Sequence, residues 1–171
     1  MKRIVSVFLC AVCLPAVVPL VSAQDCSNWS NEDLRGTYTL AGSGWMDLSK
    51  VLPGMGLPSG LVQMSWVGAH VFNGGGGGAG WASINAAGSQ MNAQFVGLKY
   101  SVSSDCSVQI SWSLKIKELG ITIGPFARFG VIVWTPQALE IHSLLMGAPL
   151  GTPSGGGLDL GVSHRIAMQS Y

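Results

Sequence analysis

Val71-Phe72-Asn73-Gly74-Gly75-Gly76-Gly77-Gly78-Ala79-Gly80-Trp81 is the stretch on which the fold turns. An apolar run enters, glycines reverse the chain, and a second apolar run leaves. Glycine takes positive φ without steric cost, and Asn73 is the side chain that best tolerates the same region, so this is a β-hairpin. A glycine run also suggests phosphate binding. That use needs a following Lys-Ser/Thr and a helix, and Ala79-Gly80-Trp81 supplies neither.

Outward from the hairpin, the chain repeats short apolar runs between turns. Gln63 to Phe72 and Gly80 to Ala86 flank the glycines; Asn85-Ala86-Ala87-Gly88 turns, and Met91 to Val102 runs back. Ser103-Ser104-Asp105 leads into Cys106 to Lys117, the cleanest strand. Its even positions are Val108, Ile110, Trp112, Leu114 and Ile116, and its odd positions are Ser, Gln or Lys. A period of two with one apolar face is a half-buried strand. Ile121 to Trp134 follows, interrupted near Gly124-Pro125. Thr135-Pro136-Gln137 turns before Ala138 to Met146, and Leu158 to Met168 closes the series. Gly36 to Gly42 supplies the first strand, after a helix-start cap at Ser30 and Asp33. About eight strands at short spacing, with no sustained helical period, predict an all-β, single-domain antiparallel sandwich or barrel over residues 24–171.

Two segments break the rhythm. Residues 45–62 carry Pro53, Gly54, Gly56, Pro58 and Gly60, yet Met46, Leu48, Val51, Leu52, Met55, Leu57 and Leu61 are apolar. The segment is either a lid over one end of the domain or a contact for a partner. Residues 147–157 form a second Gly/Pro loop. Together the two apolar loops are candidates for a homo-oligomer interface.

Residues 1–23 read as a signal peptide: Lys2 and Arg3, an apolar run from Ile4 to Val21, and Val21-Ser22-Ala23 as the cleavage site. Pro15 and Pro19 interrupt the run and argue against a transmembrane anchor. The expected location is secreted or periplasmic. Loss of Lys2 and Arg3 turns the formal charge from +1 to −1, so no basic surface is expected to attract nucleic acid. Cys26 and Cys106 remain after processing, and two cysteines in a small domain of an oxidising compartment are expected to pair.

Four pieces of the chain carry a resemblance. Gly36-Thr37-Tyr38 follows a cysteine; Phe72-Asn73-Gly74-Gly75-Gly76 stands for Phe-Asp-Gly-x-Gly; Tyr100-Ser101-Val102-Ser103-Ser104-Asp105-Cys106 matches Tyr-x-Val-x-x-Asp-Cys; Gly161-Val162-Ser163-His164-Arg165 matches a closing Gly-x-x-x-Arg. In order and spacing these resemble a family of small secreted barrels of the calycin type, similar to lipocalins and the allene oxide cyclase barrel. Asn73 in place of Asp, Val108 where a glycine is usual, and the enlarged 45–62 loop depart from the pattern. The resemblance implies an eight-stranded lipocalin-like barrel and no particular activity, since no motif here receives the cyclase's catalytic residues.

The chemistry-bearing residues are few. His70, His142 and His164 lie on three strands without metal-ligand spacing, so no metal and no cofactor is expected. Glu140 and His142 share a strand face, which suits an acid/base pair or the solvent side equally well. No G-x-S-x-G elbow is present. The aromatics offer more: Tyr38, Trp66, Phe95, Tyr100 and Trp112 are the candidate ligand-lining residues, with Trp81 and Trp134 on further strands. An eight-stranded barrel is just wide enough to be filled by side chains or to hold one small ligand. The expected function is non-enzymatic binding of a small apolar ligand. The alternatives are a cyclase or isomerase working on a hydrophobic substrate in the barrel, and an oligomer-forming protein with a solid barrel. Insertion into an outer membrane is disfavoured, because Gln169, Ala167, Arg165 and Ser163 do not continue the apolar alternation that such barrels carry before a terminal aromatic.

Overall fold

The computed structural model describes residues 25–57, 59–134, 139–147 and 158–167. The expected signal peptide at 1–23, the expected turn at 135–137 and nearly all of the 147–157 segment lie outside them. Eight strands follow one another: β1 (Gly36–Asp47), β2 (Leu61–Phe72), β3 (Gly77–Ala86), β4 (Ser89–Val102), β5 (Ser107–Ile116), β6 (Ile121–Trp134), β7 (Leu139–Gly147) and β8 (Leu158–Ala167). Each pairs antiparallel with the next, and β8 returns to β1 through pairs such as Thr39 with His164, so the sheet closes. Closure pairs every strand on both sides and leaves no edge to recruit another chain.

The period-two pattern of β5 places Val108, Ile110, Trp112, Leu114 and Ile116 in the core. The apolar face of this strand therefore points into the barrel, whereas a membrane barrel turns its apolar face to lipid. Trp81 and Trp134 sit on the outer surface instead, exposed by more than half. In β3 the inward positions are Ala82, Ile84 and Ala86, so Trp81 falls on the opposite face.

Two local expectations change. The irregular segment is shorter than 45–62: β1 continues to Asp47 and β2 starts at Leu61, because Trp45, Met46 and Asp47 pair with Gln63, Val62 and Leu61. Between them a four-residue helix, α1 (Leu48–Val51), starts at Asp47, whose carboxylate accepts from the Ser49 amide at 3.1 Å and hydroxyl at 2.6 Å. The strand Ile121–Trp134 also runs unbroken past Gly124-Pro125, a cis peptide, with a register shift opposite Trp112 and Leu114.

The hairpin turn has a specific construction. Asn73 does not itself adopt positive φ; Gly74 and Gly76 do, at +82° and +88°. The Asn73 side-chain oxygen instead accepts from the amides of Gly75 (2.8 Å) and Gly77 (3.0 Å), a local bond that fixes the turn.

Candidate functional site

The two ends of the barrel are built differently. At the end where β1 begins and β2 finishes, the interior is filled by rings. Tyr38, His70, Phe72 and Tyr100 pack with centroid separations of 4.4–5.7 Å. The Tyr100 hydroxyl accepts from the Gly74 amide (2.8 Å) and donates to the Asn31 carbonyl (3.0 Å). Asn31 opens a short 3-10 turn, Asn31–Leu34, held by the capping box of Ser30 and Asp33. Arg165 donates to the Tyr38 hydroxyl at 3.1 Å and to the Asp33 carbonyl, with its guanidinium over the Tyr38 ring. Burial pushes the Tyr38 phenol up to about 12, against the opposing charge of Arg165. The Cys26–Cys106 disulfide ties the chain before this turn to the start of β5. Tyr38, Phe72 with Gly74, Tyr100 with Cys106, and Arg165, one or two residues from each of the four quoted motifs, thus meet at this end. They assemble a plug.

The opposite end is hollow. A cavity of about 80 Å³ lies beneath α1, walled by Leu40 and Met46 of β1, Val51 and Leu52, and Met64 and Trp66 of β2. Phe95 of β4, Trp112, Leu114 and Ile116 of β5, and Phe126 of β6 also line it. Val51 and Leu52 belong to the buried core, with Leu48 and Leu57 packed against it. The 45–62 segment therefore acts as the expected lid over residues 48–57, while Trp45, Met55 and Leu61 stay exposed around the rim.

The cavity floor is polar. Arg128 enters from β6, buried, its guanidinium carbon 5.0 Å from the Trp66 ring centroid and 5.3 Å from that of Trp112. Stacking on two indoles offsets part of the cost of taking this charge out of water. Gly161 of β8 makes the room, since a Cβ there would collide with the Arg128 guanidinium. Below it a gap of about 10 Å³ is bounded by His70, Trp112, Arg128, Ser143 and Ser163. Burial, reinforced by the Arg128 charge, pushes the His70 imidazole down to about 4, so it is neutral at pH 7.

The five candidate ligand residues divide. Trp66, Phe95 and Trp112 line the cavity; Tyr38 and Tyr100 do not, because both sit in the ring plug at the closed end. Arg128 escaped the sequence reading. In β6 its inward neighbours Phe126 and Ile132 alternate with outward Phe129, Val131 and Val133, so both faces look apolar and the charge gives no parity. Glu140 and His142 do meet (2.8 Å), on the outer wall, and His164 joins from β8 at 3.0 Å. Among the described residues no group of His, Cys, Asp and Glu is arranged to hold a metal ion.

Fold and site together define a closed eight-stranded antiparallel barrel, plugged by rings at one end and hollow and apolar at the other. No protein-family model, no curated protein and no solved structure matches the chain.

Proposed function

We propose that this protein is a lipocalin-like barrel, secreted or periplasmic, that binds a small apolar molecule under α1. The observation that supports this reading is the 80 Å³ cavity walled by Leu, Ile, Met, Val, Phe and Trp side chains. Apolar cavities of this kind stay dry and accept apolar guests; one of roughly 150 Å³ takes benzene. This cavity has about half that volume, so a guest the size of cyclopentane requires α1 to shift. The disulfide suits an oxidising compartment.

Cyclopentane should raise the melting temperature in a concentration-dependent way, as any ligand specific to the folded state does. Ala82, on the cavity wall, offers the control: Ala82→Leu fills the space and should abolish the shift. No shift in the wild-type protein overturns the binding reading.

Two other readings each have an observation in their favour. The floor groups Arg128 and His70 are what a confined cyclase or isomerase would use to polarise a substrate oxygen. Yet a guanidinium does not deprotonate near neutral pH, and His70 lies beneath Trp112 and Arg128, bordering the lower gap. Exposed Trp45, Met55 and Leu61 at the rim support self-association through residues 45–62; light scattering that gives a monomer would end that reading.

A further inference from the structure

α1 covers the cavity, and a single carboxylate gathers the polar bonds at its base. Asp47 ends β1, pairs with Leu61 of β2 and is buried. Its Oδ1 accepts from the Ser49 amide at 3.1 Å and from the Ser49 hydroxyl at 2.6 Å. The backbone of Gly60, where the chain returns to β2, hydrogen-bonds the same carboxylate. Lys50 Nζ stands 3.8 Å from Oδ2, on a half-exposed side chain, and adds little. A carboxylate accepts several donors at once, and bonds to an ionised acceptor are about twice as strong as neutral ones. Past α1 the chain turns through Gly54 and Gly56 at φ +88° and +66°. Among the described residues no atom beyond their chain neighbours lies within 4 Å of where a Cβ would stand there. The segment is anchored at its base and uncrowded at its tip. Neither Asp47 nor Ser49 lines the cavity.

We propose that Asp47 is the latch of the lid: a guest enters and leaves when the bonds between its carboxylate and Ser49 break and α1 swings off the cavity. This rests on the binding function proposed above and adds to it how the site is gated and by which residue. The apolar contacts of Val51 and Leu52 determine how well a guest is enclosed. The carboxylate determines how often the cavity opens. Because Asp47 stands outside the cavity wall, its loss acts on the rate of exchange in both directions.

Xenon is a single atom that enters dry apolar cavities, and it is small enough for this one with α1 in place. Xenon saturation-transfer NMR measures its exchange with the cavity. Asp47→Ala should raise the association and dissociation rates together, each about tenfold, the factor set by one hydrogen bond to a charged group. Ser49→Ala removes the 2.6 Å bond and keeps the amide one. It should raise both rates about threefold, as a single weaker bond would, and it decides the matter if Asp47→Ala does not fold. Unchanged rates overturn the latch. Faster dissociation with unchanged association also overturns it, because that pattern marks a damaged cavity rather than a freed lid. If the wild-type protein takes up no xenon, the binding reading falls and the latch is judged by amide exchange of residues 48–57. Faster exchange there in Ser49→Ala, with β5 unaffected, upholds it; unchanged protection sinks it.

Discussion

His70 is a histidine kept neutral by its surroundings: the ring plug and Phe95 on one side, the Arg128 charge on the other. In the folded state it takes its proton near pH 4; in the unfolded chain it does so near 6.5. Between those values the unfolded state binds more protons, so stability must fall as the pH drops through that window and level off below it. The shift corresponds to a loss on the order of 3 kcal/mol. Urea unfolding from pH 7 to pH 4 should show it, and His70→Phe should lose less stability over the same range. Equal losses in the two proteins would show that His70 is not held neutral. None of this is visible in the residue alone. His70 stands in Gly68-Ala69-His70-Val71, where nothing in the sequence says that it points inward at an arginine fifty-eight positions away.

At the scale of elements, what was legible followed alternation. β5 declares its inner face because serine, glutamine and lysine occupy the other one, and its buried apolar positions are the five expected, with Ser107 at its start buried as well. β6 hides its inner face for the opposite reason, being apolar on both sides around Arg128. The lid could be read from its apolar content but not its limits. Pro53 and the glycines suggest irregularity from residue 45, whereas cross-strand pairing extends β1 and β2 into that segment until α1 interrupts them. The disulfide works at this scale too. It joins the segment before the Asn31–Leu34 turn to the start of β5 across a separation of 80 residues. Constraining an unfolded loop of that length stabilises by about 4 kcal/mol. The Cys26→Ser, Cys106→Ser double variant should lose stability of that order in urea while keeping its strand circular dichroism, since the strands pair into a closed sheet without help from the bridge. An unchanged urea midpoint would sink this.

Taken whole, the molecule is asymmetric along the barrel axis. One end is pinned by four packed rings, the Tyr100 and Arg165 hydrogen bonds and a disulfide. The other is covered by α1, four residues long, with a backbone bond from the Leu52 amide to the Leu48 carbonyl at 2.8 Å and the Asp47 cap. Local opening takes its free energy from the contacts that must break. Amides of residues 48–57 should therefore exchange with solvent far faster than those of β5, and a guest in the cavity should slow the former. Equal protection at both ends would show that α1 is no lid.

Alternation, glycine turns and a pair of cysteines are local signals, and from them the sequence by itself determined an all-β chain of about eight antiparallel strands, its best inner face and its disulfide partners. Whether the barrel is hollow or solid depends on which inward side chains share a level, and that follows from strand stagger and register. Stagger brings Tyr38, His70, Phe72 and Tyr100 together as a plug, and leaves Trp66, Phe95 and Trp112 around a space. It also sets Arg128 against Gly161, where the missing side chain admits a guanidinium. These are relations between strands far apart in sequence. Only the tertiary structure decides them, because the level at which inward side chains meet is set by the register of the strand pairs and fixed around the whole barrel when β8 pairs with β1.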